Sequence, residues 1–250
     1  MTRAAIPLLS LVLGAILLGA AQDSDIDAIA PAPAPIRHSG TAEGTIGLVL
    51  AAVAPRESIS DDHADLRRRV HDSEAGTYIG EILLERDSSL ARWPDRHGVP
   101  LTIWIQPKSS VSGFAPSYIT TVRDAFREWG ALRLPVSFAF VDDSADADVH
   151  VNWIDRFNEP ISGRTRWARD DDWAITDANI VLAVHHHQGE QLDDDAMHAM
   201  ALHEIGHLLG LDHTTDSFSI MAPRVQVRGL SDADRATVRL LYALPAGPLR

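Results

Sequence analysis

Three histidines and one glycine in the last fifth of this 250-residue chain constrain its fold more than any other feature. His203 and His207 are four positions apart, so on an α-helix they lie about 40° apart around the axis and about 6 Å apart along it. Two imidazoles in that arrangement can bind one metal ion at about 2.1 Å each. The spacing therefore predicts a helix that presents a pair of metal ligands on one face.

The third histidine requires that helix to end. On a continuous helix, His213 would stand about 15 Å from His203 along the axis, too far to share an ion. Gly210 removes the conflict, because a glycine just past a helix takes the left-handed conformation at little cost and turns the chain back. Three neutral imidazoles leave a fourth position for water, which is typical of a catalytic zinc. Glu204 lies about 100° round from His203, where a base for a metal-bound water belongs.

The composition excludes several other kinds of site. The chain has no cysteine, so disulfides, thiol nucleophiles and cysteine-bound zinc are excluded, and a metal must be held by histidine and carboxylate. A formal net charge of −13 argues against a nucleic-acid binder, because such a protein needs a basic face. Hydrophobic residues make up 45% of the chain, which is typical of a globular protein with a real core.

The first 96 residues divide into three predicted parts. Residues 1–21 have a basic start, an apolar run and a small-residue end, which predicts a cleaved signal peptide and export to the extracellular space or the periplasm. An uncleaved membrane anchor is the alternative, and no membrane span is expected once the signal is removed. Residues 22–44 are rich in Ala and Pro and predict an extended linker. Residues 45–96 predict a helical extension, with an amphipathic helix at residues 78–90 and a removed propeptide as the alternative.

Residues 97–250 have the pattern of a mixed α/β domain. Its strand candidates share alternating or continuous apolar residues and lie at residues 101–105, 136–141, 147–153, 163–168 and 180–184. Apolar residues at helical spacing predict a helix that ends at Gly130. Two more helices are expected to begin near Asp193 and at Ser231, where side-chain oxygens can accept bonds from the free N–H groups.

The run from His203 to His213 resembles the zinc signature of the metzincin metallopeptidases at every fixed position. Residues 219–223 (Ser-Ile-Met-Ala-Pro) are similar to the family's Met-turn, which places Met221 beneath the metal. This turn lacks the tyrosine of the astacin branch, and the last helix resembles that of the matrixin branch. The resemblance covers residues 97–245. It implies an α/β (α+β) fold of zincin-like type, the fold of a metzincin catalytic domain. Such a domain has a mixed twisted sheet of about five strands and three main helices.

The same resemblance implies a zinc-dependent endopeptidase that acts on polypeptides. The zinc ligands that it implies are His203, His207 and His213. Glu204 would be the general base that takes a proton from the zinc-bound water and returns it to the leaving amine. An extended substrate would pair with an edge strand, for which residues 163–168 are the candidate. Residues 224–228 would line the pocket for the side chain after the scissile bond, with Val225 and Val227 as an apolar wall.

Many matrixins also bind a second zinc and calcium through a loop rich in His and Asp. His150, Asp155 and residues 170–172 do not reproduce that pattern. The three histidines at 185–187 are an alternative second metal site, although a solvated strand end is favoured. The acidic runs at 170–172 and 193–195 fit exposed turn and cap residues better than a calcium site.

Two other functions stay open at this point. One is a catalytically idle zinc-containing module that binds peptides, and the other is a zinc hydrolase that cuts a non-protein amide. Glu204 argues against the first, because a binder has no use for a base beside the water. The expected edge-strand cleft favours a polypeptide over the second.

Overall fold

The computed structural model describes residues 75–96 and 98–249. The predicted signal peptide and the Ala/Pro-rich linker lie outside the described residues, as does the first part of the predicted extension. Among the described helices, none is long and apolar enough to cross a membrane.

A five-stranded mixed sheet forms the centre of the described domain, and a two-stranded ladder accompanies it. The strands in chain order are β1 Ser89–Leu90, β2 Leu101–Ile105, β3 Phe138–Val141, β4 Val149–Ile154, β5 Gly163–Arg169, β6 Ile175–Ala183 and β7 Gly247–Pro248. The main sheet has the order β3-β2-β4-β6-β5, and β1 pairs with β7. All neighbours in the main sheet are parallel except β5, which runs antiparallel to β6 at one edge. The predicted mixed sheet and its predicted edge strand are confirmed.

In the described ranges, four α-helices and one short 3₁₀ helix accompany the sheet. They are α1 Ile79–Glu85, α2 Ser117–Gly130, α3 Asp194–Leu208 and α4 Asp232–Ala243, with the 3₁₀ helix at Ser144–Asp146. The three long helices confirm the predicted number. The predicted caps are also present, since the Asp193 side chain accepts from Ala196 N and Ser231 forms a capping box with Asp234.

The hydrophobic core lies between the sheet and the helices α2 and α3. In β2 every second residue is buried, as expected for a strand with one face on the core. Helix α2 buries one apolar stripe that ends in Trp129, and it packs against α3. Helix α3 is buried on nearly every side and also contacts β5 and β6. The helix that carries the histidine pair is therefore held from two directions.

The amphipathic helix predicted at residues 78–90 is wrong in its length. Helix α1 ends at Glu85, because Asp87 and Ser88 take positive φ angles of 51° and 61°, and β1 follows directly. The segment nonetheless contributes to the core of the domain. Together with the residues just after it, the segment contributes these fully or nearly fully buried side chains: Tyr78, Ile79, Ile82, Leu90, Ala91 and Trp93.

Candidate active site

Helix α3 carries two of the three histidines and ends where the sequence predicts. Gly210 has a φ of +99°, in the left-handed region that favours glycine. Its N–H donates to the His207 carbonyl at 3.0 Å, and the N–H of Leu211 donates to the Gly206 carbonyl at 3.0 Å. These two bonds form a Schellman motif, which satisfies carbonyls at the helix end and reverses the chain.

The reversal brings all three histidines together. Each offers one ring nitrogen, and these nitrogens lie within 4.8 Å of one another. His203 is buried, His207 is half-buried and His213 is exposed on the loop after the helix. No other group of three or more such ligand residues is found in the described ranges 75–96 and 98–249.

The hydrogen bonds of the two helix histidines fix which nitrogen is free. His203 Nδ1 lies 2.7 Å from the Ile220 carbonyl oxygen, and His207 Nδ1 lies 2.9 Å from that of Leu211. A carbonyl oxygen only accepts, so both Nδ1 atoms carry the hydrogen and both Nε2 atoms present lone pairs. Burial lowers the pKa of His203 to about 4 and that of His207 to about 3, so both rings are neutral at pH 7.

This arrangement fits a zinc ion. The two Nε2 atoms are 3.1 Å apart with no hydrogen between them, so two lone pairs face each other. Two ligands of a tetrahedral ion at 2.0–2.1 Å are separated by about 3.3 Å, close to this distance. Carbonyl acceptors behind metal-binding imidazoles are the usual way in which a protein orients such ligands. A cation between the rings would turn this repulsion into coordination.

Glu204 is buried beside the histidines and is held by strand β5. The Thr165 hydroxyl donates to Glu204 Oε2 at 2.6 Å, and its oxygen also lies 2.9 Å from the Glu204 backbone carbonyl oxygen. A Cβ atom on Gly163 would collide with the Glu204 carboxylate, so this strand position requires glycine. Burial raises the pKa of Glu204 to about 7, although the Thr165 hydrogen bond opposes the shift.

The turn at Ser219–Pro223 supports the histidines from below. Met221 is fully buried, and a Cβ atom on Gly206 would collide with its sulfur, so the turn packs directly on the backbone of α3. The same turn supplies the Ile220 carbonyl that orients His203. The N–H of Thr214, next to His213, donates to the Met221 carbonyl at 3.1 Å.

Asp234 at the start of α4 ties this turn to the last helix. Its fully buried carboxylate accepts from the Ile220 N–H at 3.0 Å and from the Ser219 hydroxyl. It also accepts from the Ser231 N–H at 2.7 Å and from the Tyr78 hydroxyl at 3.1 Å. The capping pattern at Ser231 gave no sign that Asp234 also contacts this turn.

Two comparisons with known proteins bear on the resemblance to matrixins. A family model described as Matrixin matches residues 156–243, which include α3, the histidines and the turn below them. The chain is matrixin-like. It is also similar to metalloendoproteinase 1-MMP of Arabidopsis thaliana, with 26% identity over 215 residues. That match covers 75% of this chain and 52% of the relative, so the chain spans about half the length of the curated relative it matches.

The matrixin-like domain has a cleft in front of the histidines. The cleft has a volume of about 620 Å³ and lies between β5, helix α3 and residues 223–228. Its apolar lining includes Met200, Val225 and Val227, which agrees with the expected apolar wall. Its charged lining includes three arginines, at positions 164, 224 and 228.

The other candidate ligands of the matrixin-like domain have different partners. His185 Nδ1 lies 2.8 Å from an Asp155 carboxylate oxygen, and His186 Nδ1 lies 3.0 Å from the Ser162 hydroxyl. Asp170 caps its own turn, since its carboxylate accepts from the backbone N–H groups of residues 172 and 174. The solvated strand end and the exposed acidic turn are therefore the better interpretation of these residues.

Two residues of β5 were missed by sequence reasoning. Residues 163–168 were predicted as the substrate strand, but nothing in their pattern indicated that Gly163 and Thr165 touch Glu204. The contact joins residues 39 positions apart in the chain, so no local spacing signals it.

Proposed function

We propose that the chain is an exported, zinc-dependent endopeptidase. The observation that carries the proposal is the buried Glu204 carboxylate beside three histidines, two of which present unprotonated Nε2 atoms to one point. The Arabidopsis relative is named a metalloendoproteinase, which supports the same activity. Export rests on the basic and apolar start of the sequence.

In this proposal His203, His207 and His213 hold the zinc, and Glu204 is the general base. Zinc, when bound, supplies a Lewis acid that polarises the scissile carbonyl and lowers the pKa of water. Glu204 takes the proton from the attacking water and passes it to the leaving amine. The Thr165 hydroxyl holds the carboxylate in place for both transfers, and the absence of a side chain at position 163 leaves room for it.

The environment of Glu204 suits a group that must both accept and release a proton. Burial raises its pKa to about 7, and general acid–base catalysis works best when that value lies near the working pH. Arg164, which neighbours the catalytic carboxylate, lowers the same pKa, so the two effects partly cancel. A simple binding module would gain nothing from burying a carboxylate here.

Strand β5 is the feature that favours a polypeptide substrate. It lies at the edge of the main sheet, and its outer side pairs with no other strand of the described residues, so an extended chain could pair there. The cleft beside it is also lined by residues 223–228, so such a chain would run between β5 and that segment. A small amide substrate would have little use for this edge.

Proteolysis of an unfolded protein tests the proposal. After their zinc content has been measured, the full chain, its Glu204→Gln variant and an exposed control, Glu190→Gln, are incubated with denatured casein and, in parallel, with a peptidoglycan amide. We expect all three proteins to bind one zinc, and only wild type and the control to cut. Zinc binding without cleavage by any of them would support the idle binding module, and cleavage of a peptidoglycan amide alone would support the non-protein amidase. Equal cleavage by the Glu204→Gln variant would exclude Glu204 as the base.

A further inference from the structure

The third histidine lies on a loop that is held by the N-terminal segment of the described domain. We call residues 210–215 the ligand loop and residues 78–93 the brace. Unlike the two helix histidines, His213 has no ring hydrogen bond among the contacts of the described residues, and its side chain is exposed. Its position therefore depends on how the ligand loop itself is held.

Glu81 of the brace binds the carboxyl side of the ligand loop. Its carboxylate accepts from the Thr214 hydroxyl at 2.9 Å and from the Thr215 N–H at 2.7 Å. These two residues directly follow His213 in the sequence. Hydrogen bonds to a charged group are stronger than those between neutral groups.

Arg86 of the brace binds the amino side of the same loop. Its Nη1 donates to the Gly210 carbonyl at 2.9 Å, and its Nε forms an ion pair with Asp212 at 2.5 Å. The Arg86 side chain is only 11% exposed, so water screens this pair weakly. The guanidinium also lies 5.2 Å from the ring centre of Trp167 on the candidate substrate strand β5.

The backbone of the brace packs on the end of helix α3. A Cβ atom on Gly210 would collide with the Ala91 carbonyl oxygen, so the turn that reverses the chain lies directly against the brace. The indole N–H of Trp93 donates to the Leu208 carbonyl at 2.9 Å. Arg86 also donates to the Gly210 carbonyl just beyond the helix. The brace thus supplies donors for two carbonyls, those of Leu208 and Gly210, that would otherwise lack partners.

We propose that the brace is a permanent part of the folded domain and that Glu81 and Arg86 are positioning residues for His213. The proposal rests on the zinc site proposed above. It confines any removal of an N-terminal segment to residues before Tyr78. A cut within or after the brace would release the ligand loop, so the removed-propeptide interpretation of residues 45–96 cannot extend through residue 93.

Zinc affinity of full-length variants tests the positioning role. Arg86→Ala and Glu81→Ala remove the two contacts, and Arg92→Ala is the matched control. Arg92 is in the brace and is 12% exposed, but it donates to the Leu244 carbonyl and pairs with Asp95, away from the ligand loop. We expect Arg86→Ala and Glu81→Ala to bind zinc roughly tenfold more weakly, the low end of the loss seen when a group bonded directly to a metal ligand is removed. Arg92→Ala should stay within about twofold of wild type.

Two further readouts separate positioning from general stability. The visible absorption of Co²⁺, bound in place of Zn²⁺, should change in Arg86→Ala and Glu81→Ala but not in Arg92→Ala, because it reports the ligand geometry. Glu81→Gln keeps one carbonyl acceptor and should recover part of the lost affinity. Equal losses in Arg86→Ala and Arg92→Ala, or no loss in either, would overturn the positioning role. Failure of the wild type to bind zinc would instead defeat the proposed function.

Limited trypsin digestion of the zinc-loaded full chain tests the permanence of the brace. Arginines at 67–69 offer cleavage sites before the brace, and Arg86, Arg92 and Arg96 offer sites within or after it. We expect the resistant fragment to begin before Tyr78 and to retain its zinc. A zinc-binding fragment that begins at residue 87, 93 or 97 would overturn the proposal.

Discussion

His203 and His207 lie on helix α3, whereas His213 lies on the ligand loop, and the two regions reach their positions through different kinds of contact. The helix pair is set by repeating backbone bonds between residues four apart, and by packing of α3 on α2, β5 and β6. The ligand loop is set by Gly210 and by side chains more than 120 positions away in the sequence. The spacing of the helix pair is therefore set locally by the helix itself, whereas the position of His213 depends on segments that are distant in the sequence.

The largest effect is expected where the two regions join. Gly210→Ala forces a residue with a Cβ into a φ of +99° and drives that atom against the Ala91 carbonyl oxygen. We expect a loss of about 3 kcal/mol or more in the free energy of unfolding, measured by urea denaturation. Gly189→Ala is the control, because its φ is +95° but the nearest atom belongs to the flexible Arg156 side chain. It should cost only about 1–2 kcal/mol, and equal losses would show that the contact with Ala91 is unimportant.

The second prediction compares how much a helix histidine and the loop histidine contribute to stability in the absence of metal. His203→Ala leaves the Ile220 carbonyl without its partner and empties a buried position, so we expect the chelated protein to lose about 1–3 kcal/mol of stability. His213→Ala removes an exposed ring and should change stability by about 0.5 kcal/mol or less. Both variants should lose zinc. Denaturation in excess chelator gives the measurement, and a large loss in His213→Ala would mean that the loop histidine supports the fold.

The third effect concerns the pH dependence of cleavage. Glu204 must be deprotonated to act as the base, so the rate should fall as the pH falls through its pKa. The Thr165 hydroxyl lowers that pKa by donating to the carboxylate, so Thr165→Val should move the acidic limb to higher pH. Thr176→Val changes an exposed threonine on β6 and should leave the limb in place. If the pH dependence of cleavage is unchanged in Thr165→Val, Thr165 does not influence the pKa of the base.

The smallest effect concerns substrate choice at the cleft. Arg224 and Arg228 are exposed on its rim, in a chain whose formal net charge is −13. Exposed ion pairs are worth about 0.2–1 kcal/mol, so peptides with an acidic residue after the scissile bond should lose up to about fivefold in kcat/KM when either arginine becomes glutamine. Matched peptides with Gln in place of Glu are the control. The difference in kcat/KM loss between the two peptides should shrink in high salt. An equal loss for both peptides would show that charge is not the cause.

The contrast between the two regions also explains what the sequence could predict. The helix pair, the stop at Gly210, the cap at Ser231 and the edge strand all depend on residues a few positions apart, and each was found. The contacts of Thr165 with Glu204 and of Arg86 with Asp212 join distant segments and follow no local spacing. The amphipathic pattern of residues 78–90 indicated an apolar face but could not reveal that it packs into the hydrophobic core of the domain.

Anomalous diffraction at the zinc edge, from crystals of the full chain with zinc, tests the three-histidine site most directly. We expect a single strong site about 2.1 Å from the Nε2 atoms of His203 and His207 and from a ring nitrogen of His213. That result would establish that the helix and the ligand loop supply one metal site. A zinc bound by the helix pair alone, with His213 turned to solvent, would contradict it.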